Sequence, residues 1–296
     1  MNKIALALGT FDGLHMGHLQ VLKTTQKFAL NGFVPAILMF DCHPLKAVKG
    51  FSPPLLITQE DKENLVKEMG LMPVPVSFEE IRQLSPEEFV TEILIKRFNV
   101  GAVVSGENFH FGKAGTGNSE ILCKLCEKYD IIYEQAENVF YDNELVSSTR
   151  IRNALENGEI EKANTMLGRK FSYDFLVVEG NKIGKKYFGF PTINQHFPED
   201  FVELKHGVYA SQTRVDGIIY PSVTNFGCHP TIGGDKVLSE TCILGFDGNL
   251  YNRRIKVELL SFIRSEKKFN SKEELKEQID KDSKSAIKIF DSQNTK

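Results

Sequence analysis

The sequence predicts a doubly wound α/β domain followed by an antiparallel barrel or sandwich that ends in a helix. In the first half, short apolar runs alternate with stretches of helical spacing, which is typical of a sheet with helices on both faces. From Phe175 to Ser271 the chain shows short alternating strands and many turns, as antiparallel folds do. At 296 residues the chain exceeds the usual size of one domain. We therefore predict two domains, 1–168 and 169–296.

Apolar runs and capping signals define the elements of the first half. Continuous apolar runs predict buried strands. Ser85 and Glu88 form a capping box that starts a helix, whereas Gly32 and Gly168 end two others. The predicted strands are 3–8, 34–40, 75–78 and 100–105, and the predicted helices are 19–31, 59–69, 86–98, 119–129, 147–157 and 159–167.

Two local signals stand out in the second half. The Asp247-Gly248 pair predicts a hairpin turn between strands 241–246 and 249–259. Ser271 and Glu274 form a second capping box, which opens the closing helix. The apolar side chains of that helix recur at helical spacing, which predicts one buried face.

Composition excludes several classes of protein. The net charge of −3 gives no basic footprint for nucleic acid, and no apolar run has the length of a membrane span or a signal peptide. Five cysteines, an odd number, do not indicate a disulfide framework. Cys123 and Cys126 lie within a predicted helix, where we expect two half-buried thiols rather than a redox or zinc site. We expect a cytoplasmic protein; the sequence does not determine its oligomeric state.

Residues 9–18, with the sequence GTFDGLHMGH, form the most informative segment. They lie between a predicted strand and a predicted helix, where backbone N–H groups and the helix dipole attract phosphate and glycines allow close approach. His15 and His18 are spaced i, i+3, so both imidazoles share one face of the first helical turn. There they can donate hydrogen bonds to a phosphorus centre that gains charge during displacement. Taken alone, such a pair is also compatible with capping or core histidines.

Three later segments can complete a nucleotide crevice. His43 follows the second strand and Asn108 follows the strand 100–105, at strand ends where open α/β sheets bind ligands. Ser148, Thr149 and Arg152 open a helix, where hydroxyls and a guanidinium can bind anionic oxygens. Each segment also has a purely structural interpretation. His43 could be a turn histidine, Asn108 could lie in a loop that glycines shape, and the helix start at Ser148 could be a solvated basic face.

The second half offers another candidate phosphate site. Its glycine-rich basic stretch differs from a Walker loop in spacing and in lacking a hydroxyl after the lysine. Beyond it, Thr192 and Asn194 alternate along an extended segment and present two neutral oxygens that suit Mg²⁺ with nucleotide phosphates. Glu240, on a predicted strand, is a candidate general base.

Together these motifs resemble a known family. The segment GTFDGLHMGH resembles the HxGH signature of nucleotidyltransferases, and VSSTRIR, GFPTIN and IRSEKKF follow it in order. The whole chain resembles the prokaryotic bifunctional riboflavin kinase/FMN adenylyltransferases. That resemblance implies a Rossmann-like nucleotidyltransferase domain and a small antiparallel β-barrel domain with a C-terminal helix. It also implies ATP, riboflavin and FMN as substrates, FAD as product and Mg²⁺ as cofactor.

The resemblance also implies roles for individual residues. His15 and His18 would be catalytic in adenylyl transfer, Glu240 would take the proton from the ribityl hydroxyl, and Thr192 and Asn194 would bind Mg²⁺-ATP. The implied flavin-binding residues are His43, Asn225 and Arg264. The implied nucleotide-binding residues are Gly9, Thr10, Phe11, Asp12, Gly17, Asn108, Ser148, Thr149, Arg152, Gly180, Gly184, Lys185 and Pro191.

Five positions depart from the family pattern. Cys42 replaces a proline and Leu145 a basic residue in the first half, whereas Ile193, Cys242 and Asn252 replace a small residue, a histidine and a glycine in the second. Two alternatives therefore stay open: an FMN adenylyltransferase with an impaired kinase domain, and a flavin-binding regulatory protein.

Overall fold

The computed structural model describes residues 2–179, 192–231 and 234–294. At 228–231, 234–236 and 294 it describes the backbone only. The chain divides into two compact units, the first ending at Ser148 and the second beginning at Thr149. Among the described residues, none of the helices combines the length and the apolar character that crossing a membrane requires.

The first unit contains a five-stranded parallel sheet in the order β3-β2-β1-β4-β5. Leu6 and Leu8 of β1 pack into the core on one face, and Ala5 and Ala7 pack into the core on the other. From β1 the chain continues to β2 and β3 on one side of β1 and then returns to add β4 and β5 on the other side. A topological switch point therefore lies between β1 and β4. The strands are β1 (Ile4–Leu8), β2 (Val34–Phe40), β3 (Met72–Val76), β4 (Val100–Ser105) and β5 (Ile132–Gln135), with a small hairpin of β6 (Phe140–Tyr141) and β7 (Glu144–Leu145).

Helices cover both faces of this sheet. The capping box predicted at Ser85 and Glu88 is present, and the helix that it starts continues as a π-helix. The helices are α1 (Met16–Lys27) with a 3₁₀ extension (Phe28–Asn31), α2 (Pro44–Lys49), α3 (Gln59–Glu68), α4 (Phe78–Ile81), α5 (Pro86–Glu88) with its π-helical continuation (Phe89–Arg97), a 3₁₀ turn (Lys113–Gly115) and α6 (Ser119–Lys128).

The second unit is a closed antiparallel barrel in the order β10-β11-β12-β9-β8-β13. This result selects the barrel over the sandwich. The unit begins with the rest of α7 (Ser148–Glu156), which spans the division, and with α8 (Ile160–Leu167). The barrel strands are β8 (Ser172–Val178), β9 (Thr192–His196), β10 (Gly207–Val215), β11 (Ile218–Thr231), β12 (Gly234–Ile243) and β13 (Arg254–Ser265), and α9 (Lys272–Asn294) closes the chain.

The helix α8 packs on the barrel. Asn164 Nδ2 donates to the carbonyl of Leu259 at 2.9 Å, and its Oδ1 accepts from the N–H of Phe171 at 2.6 Å. Because these bonds join α8 to the barrel, the compact division falls before α8, whereas the sequence analysis places the domain boundary after residue 168.

The prediction of a hairpin at Asp247-Gly248 is wrong. β12 pairs with β11 and β9, whereas β13 pairs with β10 and β8. The two strands are therefore not neighbours, and the segment between them crosses from one part of the barrel to another.

Candidate active sites

The turn after β1 has an unusual backbone. Phe11 and Leu14 have φ angles of 51° and 44°, and Gly13 between them has a φ of 78°. Left-handed conformations are costly for phenylalanine and leucine and persist only where surrounding structure enforces them. Phe11 and Leu14 are both fully buried, so the core holds this turn in place.

The turn delivers two stacked histidines. The ring centroids of His15 and His18 lie 3.6 Å apart with 16° between the ring planes. His15 caps α1, and its Nδ1 accepts the backbone N–H of His18 at 3.3 Å. A neutral His15 therefore carries its ring proton on Nε2 and can act as a donor there. The predicted pairing of the two imidazoles on one helical turn is confirmed.

Two glycines leave room for the aromatic rings of this site. A Cβ at Gly17 would lie 3.2 Å from Cε1 of His15, and one at Gly9 would lie 3.0 Å from Cζ of Phe11. The glycine spacing of the motif thus lets His15 and Phe11 pack directly against the backbone.

A cavity of about 890 Å³ adjoins these residues. It lies at the carboxyl ends of β1 and β4, the switch point where open α/β sheets bind ligands. Of the predicted nucleotide-binding residues, those that line it are Gly9, Thr10, Phe11, Gly17 and Asn108, together with His15 and His18.

Aromatic side chains that were not among the predicted site residues form an apolar wall of the cavity. The rings of Phe109 and Phe111 are stacked with centroids 5.6 Å apart, and Phe40 meets Phe78 edge to face at 5.4 Å. The sequence indicated them only in part, since Phe109 and Phe111 follow Asn108 in a loop bounded by glycines. A wall of this kind suits a planar apolar ring.

Asp12 connects the turn to two other segments of the chain. Its carboxylate accepts the N–H of Leu56 at 3.4 Å, and its backbone carbonyl accepts the hydroxyl of Ser148 at 2.9 Å. Burial lowers the pKa of Lys62, and the negative charge of Asp12 partly opposes that effect. Asp12 and Ser148 therefore hold the loop itself.

His43, the flavin-binding residue predicted in the first half, is not among the residues that line this cavity, although its neighbours Pro44 and Leu45 are. His43 caps α2 by accepting the N–H of Leu45 at Nδ1, at 3.2 Å. Thr149 and Arg152 lie on α7 in the second compact unit. Gly180, Gly184, Lys185 and Pro191 lie outside the described residues.

A second cavity, of about 530 Å³, lies on the outside of the barrel beneath α9. Strand register brings its polar residues together, because Glu240 is the cross-strand partner of both Asn225 and Asn194. The hydroxyl of Thr192 donates to Oε1 of Glu240 at 3.1 Å. Four predicted site residues therefore lie on adjacent strands, and Thr192, Asn225 and Glu240 line the cavity.

Arg264 also lines this cavity, but its guanidinium forms a two-point ion pair with Asp282 of α9. Arg264 Nη2 lies 2.8 Å from Asp282 Oδ2, and Nε lies 3.2 Å from Oδ1. Gln278 donates to the same carboxylate at 2.9 Å, and Asp282 is only 3% exposed. This carboxylate, on a largely polar stretch of the closing helix, is a residue that the sequence analysis missed. It fixes α9 over the cavity.

Replacing Asp282 with asparagine is expected to lower the free energy of unfolding by about 3 kcal/mol, because it leaves a partly buried guanidinium without its countercharge. Asp216→Asn is the matched control and should cost far less, since Asp216 pairs with Arg253 on the exposed surface at 2.6 Å, where solvent screens the interaction. Urea unfolding followed by circular dichroism measures both. Equal losses would contradict a structural role for the Arg264–Asp282 pair.

The structure accounts for two of the departures in the second half. Ile193 is 4% exposed, lies on the opposite face of β9 from Thr192 and does not line the cavity. Asn252 has a φ of 62°, a conformation that asparagine adopts more readily than most residues other than glycine. Cys242 does line the cavity, where burial and the charge of Glu240 raise its thiol pKa to about 12. The thiol is therefore neutral at physiological pH.

Family models match both halves of the chain. A model described as FAD synthetase matches residues 1–150. A model described as riboflavin kinase matches residues 167–290.

Curated relatives match over nearly the whole length. A protein of Bacillus subtilis strain 168 named bifunctional riboflavin kinase/FMN adenylyltransferase is 35% identical, covering 97% of this chain and 93% of that protein. Proteins of the same name from Listeria monocytogenes and Escherichia coli K12 are 33% and 31% identical, covering 98% and 96% of this chain and 93% and 92% of their own lengths.

A solved structure shares the fold. A Streptococcus pneumoniae chain described as a macrolide-efflux protein superposes with a TM-score of 0.87 at 24% identity, over 97% of this chain and 94% of that chain. At this identity the likeness bears on the fold alone.

Proposed function

The chain belongs to the bifunctional riboflavin kinase/FMN adenylyltransferase family, and we propose that each half carries one of the two reactions. It is an ATP-dependent transferase of FAD biosynthesis. Riboflavin and ATP give FMN and ADP in the second half, and FMN and a second ATP give FAD and pyrophosphate in the first. The observation that carries the assignment is the stacked His15–His18 pair at the switch-point cavity.

The two functional domains are 1–168 and 169–296. The FAD synthetase match ends at residue 150 and the riboflavin kinase match begins at 167. With these bounds, α7 and α8 are the last elements of the first functional domain, and Ser148, Thr149 and Arg152 fall within that part of the sequence. The substrates are small molecules that cells hold with ATP in the cytoplasm, where we place the protein.

In adenylyl transfer, an FMN phosphate oxygen attacks the α-phosphorus of ATP and pyrophosphate leaves. His15 and His18 donate hydrogen bonds to the phosphorus-bound oxygens as their charge grows, and the N–H groups at the start of α1 assist. Asn108 orients the nucleotide. The cavity of about 890 Å³ lies at the upper end of the roughly 300–1,000 Å³ common for ligand sites, as two nucleotide-sized substrates require. The aromatic wall suits the flavin ring.

In riboflavin phosphorylation, Glu240 accepts the proton of the ribityl hydroxyl while that oxygen attacks the γ-phosphorus of ATP. Thr192 holds the carboxylate through its hydroxyl, and Asn225 contacts the flavin. Arg264 adjoins the flavin pocket and braces α9.

The residues present fit Mg²⁺. Thr192 and Asn194 lie on one face of β9, and both are close to Glu240 through the strand register. Mg²⁺ takes hard oxygen ligands and is usually held by one or two protein groups together with substrate phosphates. Thr192 and Asn194 would hold the ion, which would neutralise charge on the ATP phosphates.

Supplying the wild-type protein with riboflavin and Mg²⁺-ATP tests the proposal. We expect FMN to appear first and FAD to follow, with one pyrophosphate released for each FAD. Chromatography of the flavins, with an independent pyrophosphate assay, follows both steps. Conversion of added FMN without conversion of riboflavin would instead identify an impaired kinase domain. Tight flavin binding without turnover would identify a regulatory protein.

A further inference from the structure

The interior of the barrel is unusually polar for a protein core. Six serine and threonine side chains from three strands are completely buried there: Ser211, Thr213, Ser222, Thr224, Ser239 and Thr241. Buried hydroxyls must be hydrogen-bonded to avoid a large desolvation cost. Their bonding pattern therefore determines how the strands can sit against one another.

Three of these hydroxyls form a chain across three strands. Ser211 Oγ and Thr224 Oγ1 lie 2.8 Å apart, and Thr224 Oγ1 and Thr241 Oγ1 also lie 2.8 Å apart. The chain joins β10 to β11 and β11 to β12. The hydroxyl of Tyr173 faces the same group; burial raises its pKa to about 12, and the nearby hydroxyls of Ser239, Thr241 and Thr224 partly oppose that effect.

This hydroxyl chain lies on the inner side of the strands whose outer side lines the second cavity. Thr224 and Thr241 are cross-strand partners, and the adjacent pair in the register is Asn225 with Glu240. Since successive side chains on a strand point to opposite faces, the inward-facing threonines alternate with the outward-facing residues that line the cavity. Any shift of β12 against β11 that breaks the inner bond also moves Glu240 relative to Asn225.

We infer that Thr224 and Thr241 are positioning residues for riboflavin phosphorylation, whose hydroxyl bond fixes Glu240 and Asn225 in register at the cavity. The inference rests on the proposed assignment of that reaction to the barrel. Hydrogen bonds between hydroxyls are strong in a low-dielectric interior and tolerate little change of geometry. A displacement of about 1 Å at a reacting group can cost roughly a hundredfold in rate.

The barrel offers a matched control for this bond. Ser222 Oγ donates to Thr213 Oγ1 at 2.8 Å, and both residues are completely buried. Neither Ser222 nor Thr213 neighbours Glu240 or Asn225 in the chain, although Ser222 lies on the same strand as Asn225. Loss of this second bond therefore disturbs the barrel core without changing the position of Glu240 relative to Asn225.

The test compares Thr241→Val with Thr213→Val, since each keeps the side-chain shape and removes one hydroxyl. We expect Thr241→Val to lower kcat for FMN formation at least tenfold with little change in KM for riboflavin, and Thr213→Val to stay within about twofold of wild type. Thr241→Ser, which keeps the hydroxyl, is expected to recover most of the rate. FAD formation from added FMN should be unchanged in all three and reports on the first half of the chain, whereas circular dichroism should show that the barrel stays folded.

Equal loss of kcat in Thr241→Val and Thr213→Val, or no loss in either, would overturn the inference. So would a Thr241→Ser protein as slow as Thr241→Val. If Thr241→Val does not fold, Thr224→Val removes the same bond and is compared with Ser222→Ala, with a loss expected only in the first. A wild-type protein that forms no FMN from riboflavin would contradict the proposed function instead.

Discussion

Replacing His18 with alanine is expected to lower FAD formation from FMN and ATP by about a hundredfold or more, because it removes a donor to the charge that grows on the α-phosphate. FMN formation from riboflavin should remain near the wild-type rate, since His18 lies in the first unit. Steady-state rates for each half-reaction, measured on one preparation, give both numbers. KM for ATP should change less than kcat, because the lost interaction strengthens in the transition state.

The kinase reaction shows that the second unit of the His18→Ala protein is intact. His18 stacks on His15, so circular dichroism should also show that the first unit keeps its secondary structure. A folded His18→Ala protein that makes FAD at a rate close to wild type would contradict the assignment.

Replacing Glu240 with glutamine is expected to have the opposite effect. Glutamine keeps an oxygen that can accept the hydroxyl of Thr192 but cannot take up the proton of the attacking hydroxyl. We expect kcat for FMN formation to fall about 10²–10⁴-fold, with FAD formation from added FMN unchanged. The flavin products are separated and quantified by chromatography.

Glu258→Gln is the matched control for the Glu240 substitution. Glu258 is a glutamate on β13 that accepts a hydrogen bond from Gln212 at 2.5 Å and does not line the cavity. Its FMN formation should stay within about twofold of wild type. Retention of full kinase activity by Glu240→Gln would rule out Glu240 as the base.

Apolar runs predicted those strands whose burial follows from their own sequence. The strand 34–40 and the strand 100–105 were predicted at the bounds of β2 and β4, because both are continuous apolar runs buried in a parallel sheet. The Asp247-Gly248 hairpin failed for a complementary reason. A turn signal reports the local backbone, whereas strand pairing in a closed barrel depends on partners that are distant in sequence.

The sites show the same contrast. His15, His18 and Thr192 were predicted as site residues from their spacing, and Glu240 from the family resemblance. Asp282 was missed because its role depends on Arg264, a residue from another element. Tertiary pairing of this kind leaves little trace in local spacing.

The central claim is that the two reactions occupy separate sites in one chain. Mixing the His18→Ala and Glu240→Gln proteins with riboflavin and Mg²⁺-ATP tests it most directly. Each variant alone should make FAD from riboflavin only slowly, whereas the mixture should make it much faster, because FMN released by the first is adenylylated by the second. A mixture that makes no FAD, while the wild-type protein does, would contradict the claim.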